Sequence, residues 1–158
     1  MIRSRHHTKI IVLISLLVVA IGALVTTLVL RSTTPYANID IVESKSHLGV
    51  VLPNPLPGGT RVVDQPTYNS SIRSIFTRFI VEGNEVTFSQ QARPETNLKQ
   101  VDAQDTFLIA AGSVYILKGE SGRLQAIVET ADSWIMVNAD AKLGKTRFKE
   151  LLNNLNPI

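Results

Sequence analysis

The sequence predicts an α+β fold in which an N-terminal transmembrane helix precedes a twisted antiparallel sheet of five to seven strands covered by a C-terminal helix. Three observations support this fold class. Residues 10–30 carry no charge, residues 85–90 alternate between polar and mostly apolar side chains, and residues 145–155 repeat apolar side chains at helical spacing. These three patterns are typical of a membrane span, a half-buried strand and an amphipathic helix, respectively.

The uncharged stretch at residues 10–30 is predicted to be a transmembrane anchor. As a helix it spans roughly 31 Å, which matches a bilayer hydrocarbon core of about 30 Å. A cleaved signal peptide has a shorter apolar region followed by small residues, and RSTTPYA after this stretch offers no good cleavage site. An uncleaved anchor is therefore the preferred interpretation.

The flanking cations predict the orientation. Arg3, Arg5 and Lys9 precede the span, and Arg31 and Lys45 follow it more sparsely, which places the N-terminus in the cytoplasm. The predicted organisation is a cytoplasmic tail at 1–9, the anchor at 10–30, a stalk at 31–47 and an exported α+β domain at 48–158. The predicted location is the cell membrane, with a single pass and an extracytoplasmic C-terminal domain.

The charge balance excludes a nucleic-acid-binding footprint. Three of the 16 Lys and Arg precede the span, so 13 remain from Arg31 onward against 13 Asp and Glu. The exported part is formally neutral, whereas nucleic-acid binding needs a cluster of cations. The absence of cysteine excludes disulfides, thiol catalysis and cysteine-ligated metal, and favours a bacterial envelope over a eukaryotic secretory route.

Hydrophobic periodicity predicts the order of the elements. Short strands are expected at 38–42 and 47–52, an ordered crossover at 53–59, a hairpin of 72–81 with the strand at 85–90, and a meander of 114–118, 124–130 and 134–138. Residues 94–101 have room for one or two helical turns, and residues 102–105 lie in a polar loop. The closing helix is predicted over 145–155, with Phe148, Leu151, Leu152 and Leu155 on one face.

Several short motifs resemble those of a known group of domains. They are the Leu-Pro run of residues 52–57, the S-x-Q-x-x-P segment of residues 89–94 and the T-x-x-x-W-I segment of residues 130–135. Over residues 48–156 the chain resembles uncharacterised exported domains behind a single membrane span in candidate-phylum bacteria such as Saccharibacteria. Related domains occur in sigma-factor regulators and lipoprotein-like proteins. The resemblance implies an envelope role and no catalytic residues.

Residues 139–146, ADAKLGKT, raise the question of nucleotide binding. The segment fits a relaxed phosphate-binding loop with Ala139 in place of the first glycine. However, no glycine precedes Gly144 within the loop, Asp140 would meet the phosphate, and only twelve residues follow Thr146. The segment is therefore predicted to be a strand-to-helix connection, and no nucleotide or other cofactor is expected.

The remaining polar residues form no convincing catalytic or metal site. His6 and His7 lie in the N-terminal tail, and His47 stands alone near the end of the stalk. The carboxylates at 82 and 85 flank a turn, and those at 102 and 105 lie in the predicted polar loop. The GESGR segment at 119–123 lacks the glycine spacing of a nucleophile elbow, and no histidine follows it. Catalytic and metal residues are thus predicted to be absent.

Trp134 is the one candidate interaction residue. A lone tryptophan at the start of a strand can anchor an interface, but burial under the C-terminal helix is the preferred interpretation.

The sequence therefore predicts a membrane-anchored, non-catalytic domain that binds a protein partner or a cell-wall component. The alternative is a structural subunit of a pilus-like or secretion assembly, which also combines an apolar helix with a sheet. Against this alternative, Pro35 and the preceding threonines interrupt the continuous helix that such subunits use for packing. An enzyme is the third class, and a deep pocket lined by Glu82, Glu85 or Asp102 would favour it.

Overall fold

Alternating side chains along successive strands produce a seven-stranded antiparallel sheet, which confirms the predicted α+β class. The computed structural model describes residues 35–94, 102–118 and 122–158. The elements in chain order are α1 (Ile39–Ser46), β1 (Val51–Pro53), β2 (Thr60–Asn69), β3 (Ser74–Val81), β4 (Asn84–Ala92), β5 (Ala103–Ile109), β6 (Gly112–Leu117), β7 (Arg123–Glu129), β8 (Ser133–Asp140), a 3₁₀ turn (Ala141–Leu143), α2 (Lys145–Asn153) and β9 (Leu155–Pro157).

The large sheet has the order β2-β3-β4-β8-β7-β6-β5, and every pairing in it is antiparallel. A second, two-stranded sheet pairs β1 with β9. The predicted hairpin is β3–β4 and the predicted meander is β6–β7–β8, so both are confirmed. The central pairing of β4 with β8 joins these two units into one sheet.

One face of the large sheet forms the core together with both helices. Phe79 and Phe88 pack edge to face with ring centroids 5.0 Å apart, and Tyr36 adds a second edge contact to Phe79 at 6.1 Å. Such aromatic pairs stabilise a core by about 0.5–1.5 kcal/mol beyond their buried area. Val42 of α1 and Phe148 of α2 belong to the same buried cluster. The helices therefore pack on this side of the sheet, which we call the inner face.

The β3–β4 hairpin closes through a two-residue turn, one residue shorter than the 82–84 connection between the predicted strands. Val81 pairs with Asn84, and the loop residues Glu82 and Gly83 have φ values of 50° and 82°. Positive φ at both positions is the mark of a type I′ turn, whose twist matches that of the flanking strands. The turn therefore sets the register that points Val86, Phe88 and Gln90 inward.

The C-terminal helix is confirmed, with an earlier end than predicted. Phe148, Leu151 and Leu152 are buried at i, i+3 and i+4 on α2, which ends at Asn153. Leu155, expected on the same helical face, is instead buried in β9, where it pairs with Pro53 of β1. The apolar spacing continued past the helix because both elements bury side chains in the same core.

The strand predicted at 38–42 is wrong, since these residues begin the helix α1. Ile39 and Val42, spaced by three, turn toward the core, so the apparent alternation was the edge of a helical pattern. Residues 36–47, which the sequence analysis assigned to a stalk, thus contribute Tyr36 and Val42 to the core. The compact unit spans Tyr36–Ile158. The strand expected at 47–52 is reduced to β1.

Both edge strands of the sheet were missed by the sequence analysis. β2 contains Pro66 and two register irregularities, which are tolerated at a sheet edge but hide the alternation. β5 includes Asp105, which was expected in a polar loop and instead lies opposite Ile116 of β6. Helical turns were considered at 94–101, of which residues 95–101 lie outside the described residues. Residues 119–121, between β6 and β7, also lie outside them.

A buried amide connects the sheet to the layer above it. Gln90 is 3% exposed, and its Nε2 donates to the carbonyl of Gly49 at 2.6 Å and to Ser133 Oγ at 3.0 Å. Its Oε1 accepts the backbone N–H of Val51 at 3.1 Å. The segment at 49–51 leads into β1 and therefore positions the β1–β9 pair. Thr130 completes the network through a contact of 2.8 Å between its Oγ1 and Ser133 Oγ.

Helix α2 is tied to the sheet by ion pairs at its periphery. Arg147 contacts Glu82 at 3.0 Å and also donates to the carbonyl of Gly58. Lys149 binds the carboxylate of Asp105 and lies 5.7 Å above the centre of the Phe107 ring. The hydrogen bond from Lys149 is the largest cause of a lowered pKa at Asp105.

No helix within the described ranges combines the length and the apolar character that a membrane crossing requires. The predicted anchor at residues 10–30 lies outside these ranges, and so does the predicted cytoplasmic tail at 1–9.

We predict that Gln90→Ala lowers the free energy of unfolding by about 2–4 kcal/mol, because it leaves buried groups of the Gly49–Val51 segment and Ser133 without a partner. Gln91→Ala is the matched control. Gln91 is the next residue and points to the opposite, exposed side, so its loss should stay within about 0.5 kcal/mol. Urea unfolding of a fragment of residues 36–158 measures both. Equal losses for the two variants would contradict the role given to Gln90.

We also predict that Asp105 titrates below its ordinary pKa of 3.8 and that Lys149→Met returns it toward that value. Because the pKa is lowered in the folded state, the ion pair stabilises the fold above the unfolded-state pKa. This contribution is lost as the pH falls through the folded-state pKa. Carboxyl carbon shifts followed by NMR give the pKa, with Lys45→Met on α1 as control. An unchanged Asp105 pKa in Lys149→Met would refute the assignment.

Candidate interaction face

The side of the large sheet opposite the core carries an unusual number of large apolar side chains, and we call it the outer face. Strand register places one outward residue from each strand in a single central row. In sheet order, this row consists of Thr67, Phe76, Ser89, Met136, Ile127, Tyr115 and Thr106. In the part of the chain that the structure describes, the buried apolar residues of both helices pack on the inner face, so neither helix covers this row.

A depression of about 360 Å³ lies on this face where β3, β4, β8 and β7 meet. Its lining contains no charged side chain and consists of Ile72, Ser74, Phe76, Ser89, Gln91, Ile127, Trp134 and Met136. Ile72, Phe76 and Met136 are 57%, 36% and 45% exposed, so they form raised walls around a floor that includes two small serines. We call this depression the hollow.

Trp134 lies on the outer face, and its predicted burial under the C-terminal helix is therefore wrong. In β8 the inward positions are Ser133, Ile135 and Val137, which leaves Trp134 and Met136 on the other side. Trp134 sits in register with Gln91 on β4 and is half-buried. Its indole N–H is buried and has no acceptor within the described part of the chain. The alternation of β8 showed which residues share a face but not which face the helix covers.

Hydrogen bonds and ion pairs border the apolar area on two sides. Glu129 contacts Arg93 at 2.5 Å and accepts a hydrogen bond of 3.1 Å from the hydroxyl of Tyr115. Burial and this carboxylate both raise the pKa of Tyr115, so its hydroxyl stays protonated. Toward β2, Arg78 lies 2.8 Å from Asp64 and 3.5 Å from Glu85. The charged groups are paired at the margins, which leaves the centre neutral.

Sequence reasoning did not identify the apolar outer row as a site. A signal was present, because β3 reads SIFTRFIV and β7 reads RLQAIVE, and both have apolar residues at odd and even positions. A strand with one solvated face shows polar residues at every second position instead. Apolar side chains of both parities therefore indicated that both sides of the sheet carry apolar surface.

The ADAKLGKT segment is a strand-to-helix connection, as predicted. Ala139 and Asp140 end β8, Leu143 is buried in the 3₁₀ turn, and Gly144 has a φ of 78° immediately before α2. The carboxylate of Asp140 accepts the backbone N–H of Lys142 at 2.8 Å and thereby caps the turn. The strand belongs to an antiparallel sheet, whereas a phosphate-binding loop follows a strand of a parallel sheet.

A groove of about 640 Å³ runs between α2 and the β5–β6 edge, and Lys145 and Thr146 line part of it. The same groove contains the carboxylates of Asp105 and Glu150, of which Asp105 is bound by Lys149. Both carboxylates would repel a phosphate group, and Lys149 beside them is already paired with Asp105. The geometry therefore gives no support to nucleotide binding.

The other predicted polar positions are separated from one another. Glu82 pairs with Arg147 and Glu85 with Arg78, so the two carboxylates contact different cations. His47 is exposed and directly follows the last residue of α1, while His6, His7 and residues 119–121 lie outside the described residues. No group of three or more metal-ligating side chains is found within residues 35–94, 102–118 and 122–158.

Comparison of the chain with known protein families, with curated proteins and with solved structures finds no match. The resemblance to exported domains of candidate-phylum bacteria stays a prediction.

Proposed function

We propose that the protein is a membrane-anchored, extracytoplasmic and non-catalytic domain that binds a protein partner or another envelope component through its outer face. The anchor rests on the uncharged stretch at 10–30 and the cations that precede it. The binding role rests on the structure of the sheet.

The outer face is the observation that carries the proposal. A one-layer antiparallel sheet normally presents polar side chains to water on its open side. Here Phe76, Met136 and Trp134 surround an uncharged hollow, and Ile127 lies beside them with 8% exposure. Contiguous apolar patches of this kind, bordered by polar residues, mark interaction sites more often than scattered exposed residues do. An aromatic residue beside the hollow also matches the anchors found at protein interfaces.

The distribution of charge supports binding over catalysis. General acid and base chemistry needs titratable groups that share a pocket and differ in pKa. The hollow beside Trp134 is lined by uncharged groups. Separate ion pairs engage three of the carboxylates that the sequence suggested, Glu82, Glu85 and Asp105. The contacts available in the hollow are apolar packing and neutral hydrogen bonds, which are the means of recognition.

A test combines topology with contact mapping in the native envelope. We would place a photoreactive benzophenone side chain at position 89, on the floor of the hollow, in full-length protein with a C-terminal tag. The matched control carries the same group at position 142, which is exposed in the 3₁₀ turn away from the outer face. We expect protease added to spheroplasts to remove the tag, and light to give adducts from position 89 at least tenfold above those from position 142.

Two results would refute this function. A tag protected in sealed spheroplasts would place the domain in the cytoplasm. Equal adduct yields from positions 89 and 142, or none from position 89, would show that the outer face contacts nothing in the envelope.

A further inference from the structure

We propose that the occupant of the outer face is a second copy of this chain, packed sheet against sheet. The two copies are related by a two-fold axis that lies between the sheets and is parallel to β8. This inference rests on the binding role proposed for that face and identifies its partner. In such a homodimer, if one residue contacts a second residue across the interface, the same contact is made again with the two copies exchanged. The surface must therefore be complementary to itself, and the strand register allows this to be examined row by row.

The central row of one copy is complementary to the same row of the second copy, which runs in the opposite strand order. A two-fold axis along β8, the fourth of seven strands, places the first strand of one copy over the seventh of the other. The row then pairs Ser89 with Ile127 of the second copy, and Phe76 with Tyr115 of the second copy. A small side chain faces a large one, and two aromatic rings face each other. Met136 lies on the axis and meets its own equivalent.

The rows on either side obey the same rule. On the Trp134 side, Trp134 also lies on the axis, and Gln91 faces Glu129 of the second copy, which offers a hydrogen bond to a carboxylate. On the other side, Asn138 lies on the axis and Thr87 faces Gln125 of the second copy, so neutral polar side chains meet. One row further along, Glu85 faces Arg123 of the second copy, which joins opposite charges. Asp140 lies near the axis in that row, and each Asp140 is in register with Arg123 of its own copy. Like charges are therefore balanced by neighbours of opposite sign.

The available area is sufficient for a modest homodimer. Six spacings of about 4.8 Å between strands give a width of about 29 Å, and the three rows that contain Trp134, Met136 and Asn138 give a height of about 20 Å. The product, about 600 Å² for each copy, lies at the lower end of specific interfaces. Two sheets facing each other with their strands nearly aligned form the geometry of a sandwich, with about 10 Å between layers. Tethering both copies to one membrane would raise their effective concentration.

The absence of cysteine from the chain makes a direct test simple. We would express full-length Met136→Cys in its native membrane and oxidise it mildly. Because position 136 lies on the proposed axis, we expect a disulfide-linked product of twice the chain mass. Lys142→Cys, which is exposed and lies off the outer face, serves as the matched control and should give at least tenfold less of this product.

A second variant shows whether the hollow is part of the contact. Ser89→Arg places a long cation where Ile127 of the second copy would insert, while the core behind the sheet is unchanged. We expect Ser89→Arg combined with Met136→Cys to lower the dimer yield at least tenfold. Its urea midpoint, compared with that of Met136→Cys alone, establishes that the domain is still folded.

Three outcomes would overturn the homodimer. Met136→Cys and Lys142→Cys could give equal dimer yields, Ser89→Arg could leave the yield unchanged in a folded protein, or Met136→Cys could give no dimer. If the photoreactive group at position 89 then captures a different molecule, the proposed binding function survives and only the identity of the partner fails. If position 89 captures nothing as well, both proposals fail.

Discussion

The buried amide of Gln90 is the interaction on which the architecture depends. It lies on the inner face of β4 and holds the backbone of Gly49 and Val51 at one end of the core. That segment leads into β1, and β1 pairs with β9 beside the end of α2. A neutral amide in an apolar core is costly unless its donors and acceptor are used, and here both are. These hydrogen bonds thereby fix the position of the β1–β9 pair relative to the large sheet.

Both helices cover one side of the sheet, and the apolar side chains of the other side stay uncovered by them. Phe79, Phe88 and the apolar face of α2 occupy the inner face, so the apolar residues of opposite parity have no partner inside the described domain. Phe76, Met136 and Trp134 are therefore exposed or half-buried for a topological reason. A sheet with two apolar faces and one layer of helices is incomplete as a sandwich, and a second sheet would supply the missing layer.

Local signals predicted the elements that local physics determines. The β3–β4 hairpin follows from the residues of its turn, the meander from alternation, and α2 from the spacing of Phe148 and the leucines. The edge strands were missed because each contains a residue that is unusual in a strand. Pro66 is tolerated in β2 because that strand has a free edge, and Asp105 is tolerated in β5 because Lys149 pairs with it. The side of the sheet on which Trp134 lies depends on where α2 packs. That choice is made by tertiary contacts, which the periodicity of β8 does not contain.

The pairing of β1 with β9 also constrains the order in which the chain can complete its fold. Asn156 Nδ2 donates to the carbonyl of Asn54 across 102 positions of sequence, so this closure spans nearly the whole domain. Contacts of such separation form late, because a long loop must be closed before they contribute. A ribosome releases β1 long before the residues that pair with it. The emerging chain therefore lacks the β1–β9 sheet until residues 155–157 have left the ribosome.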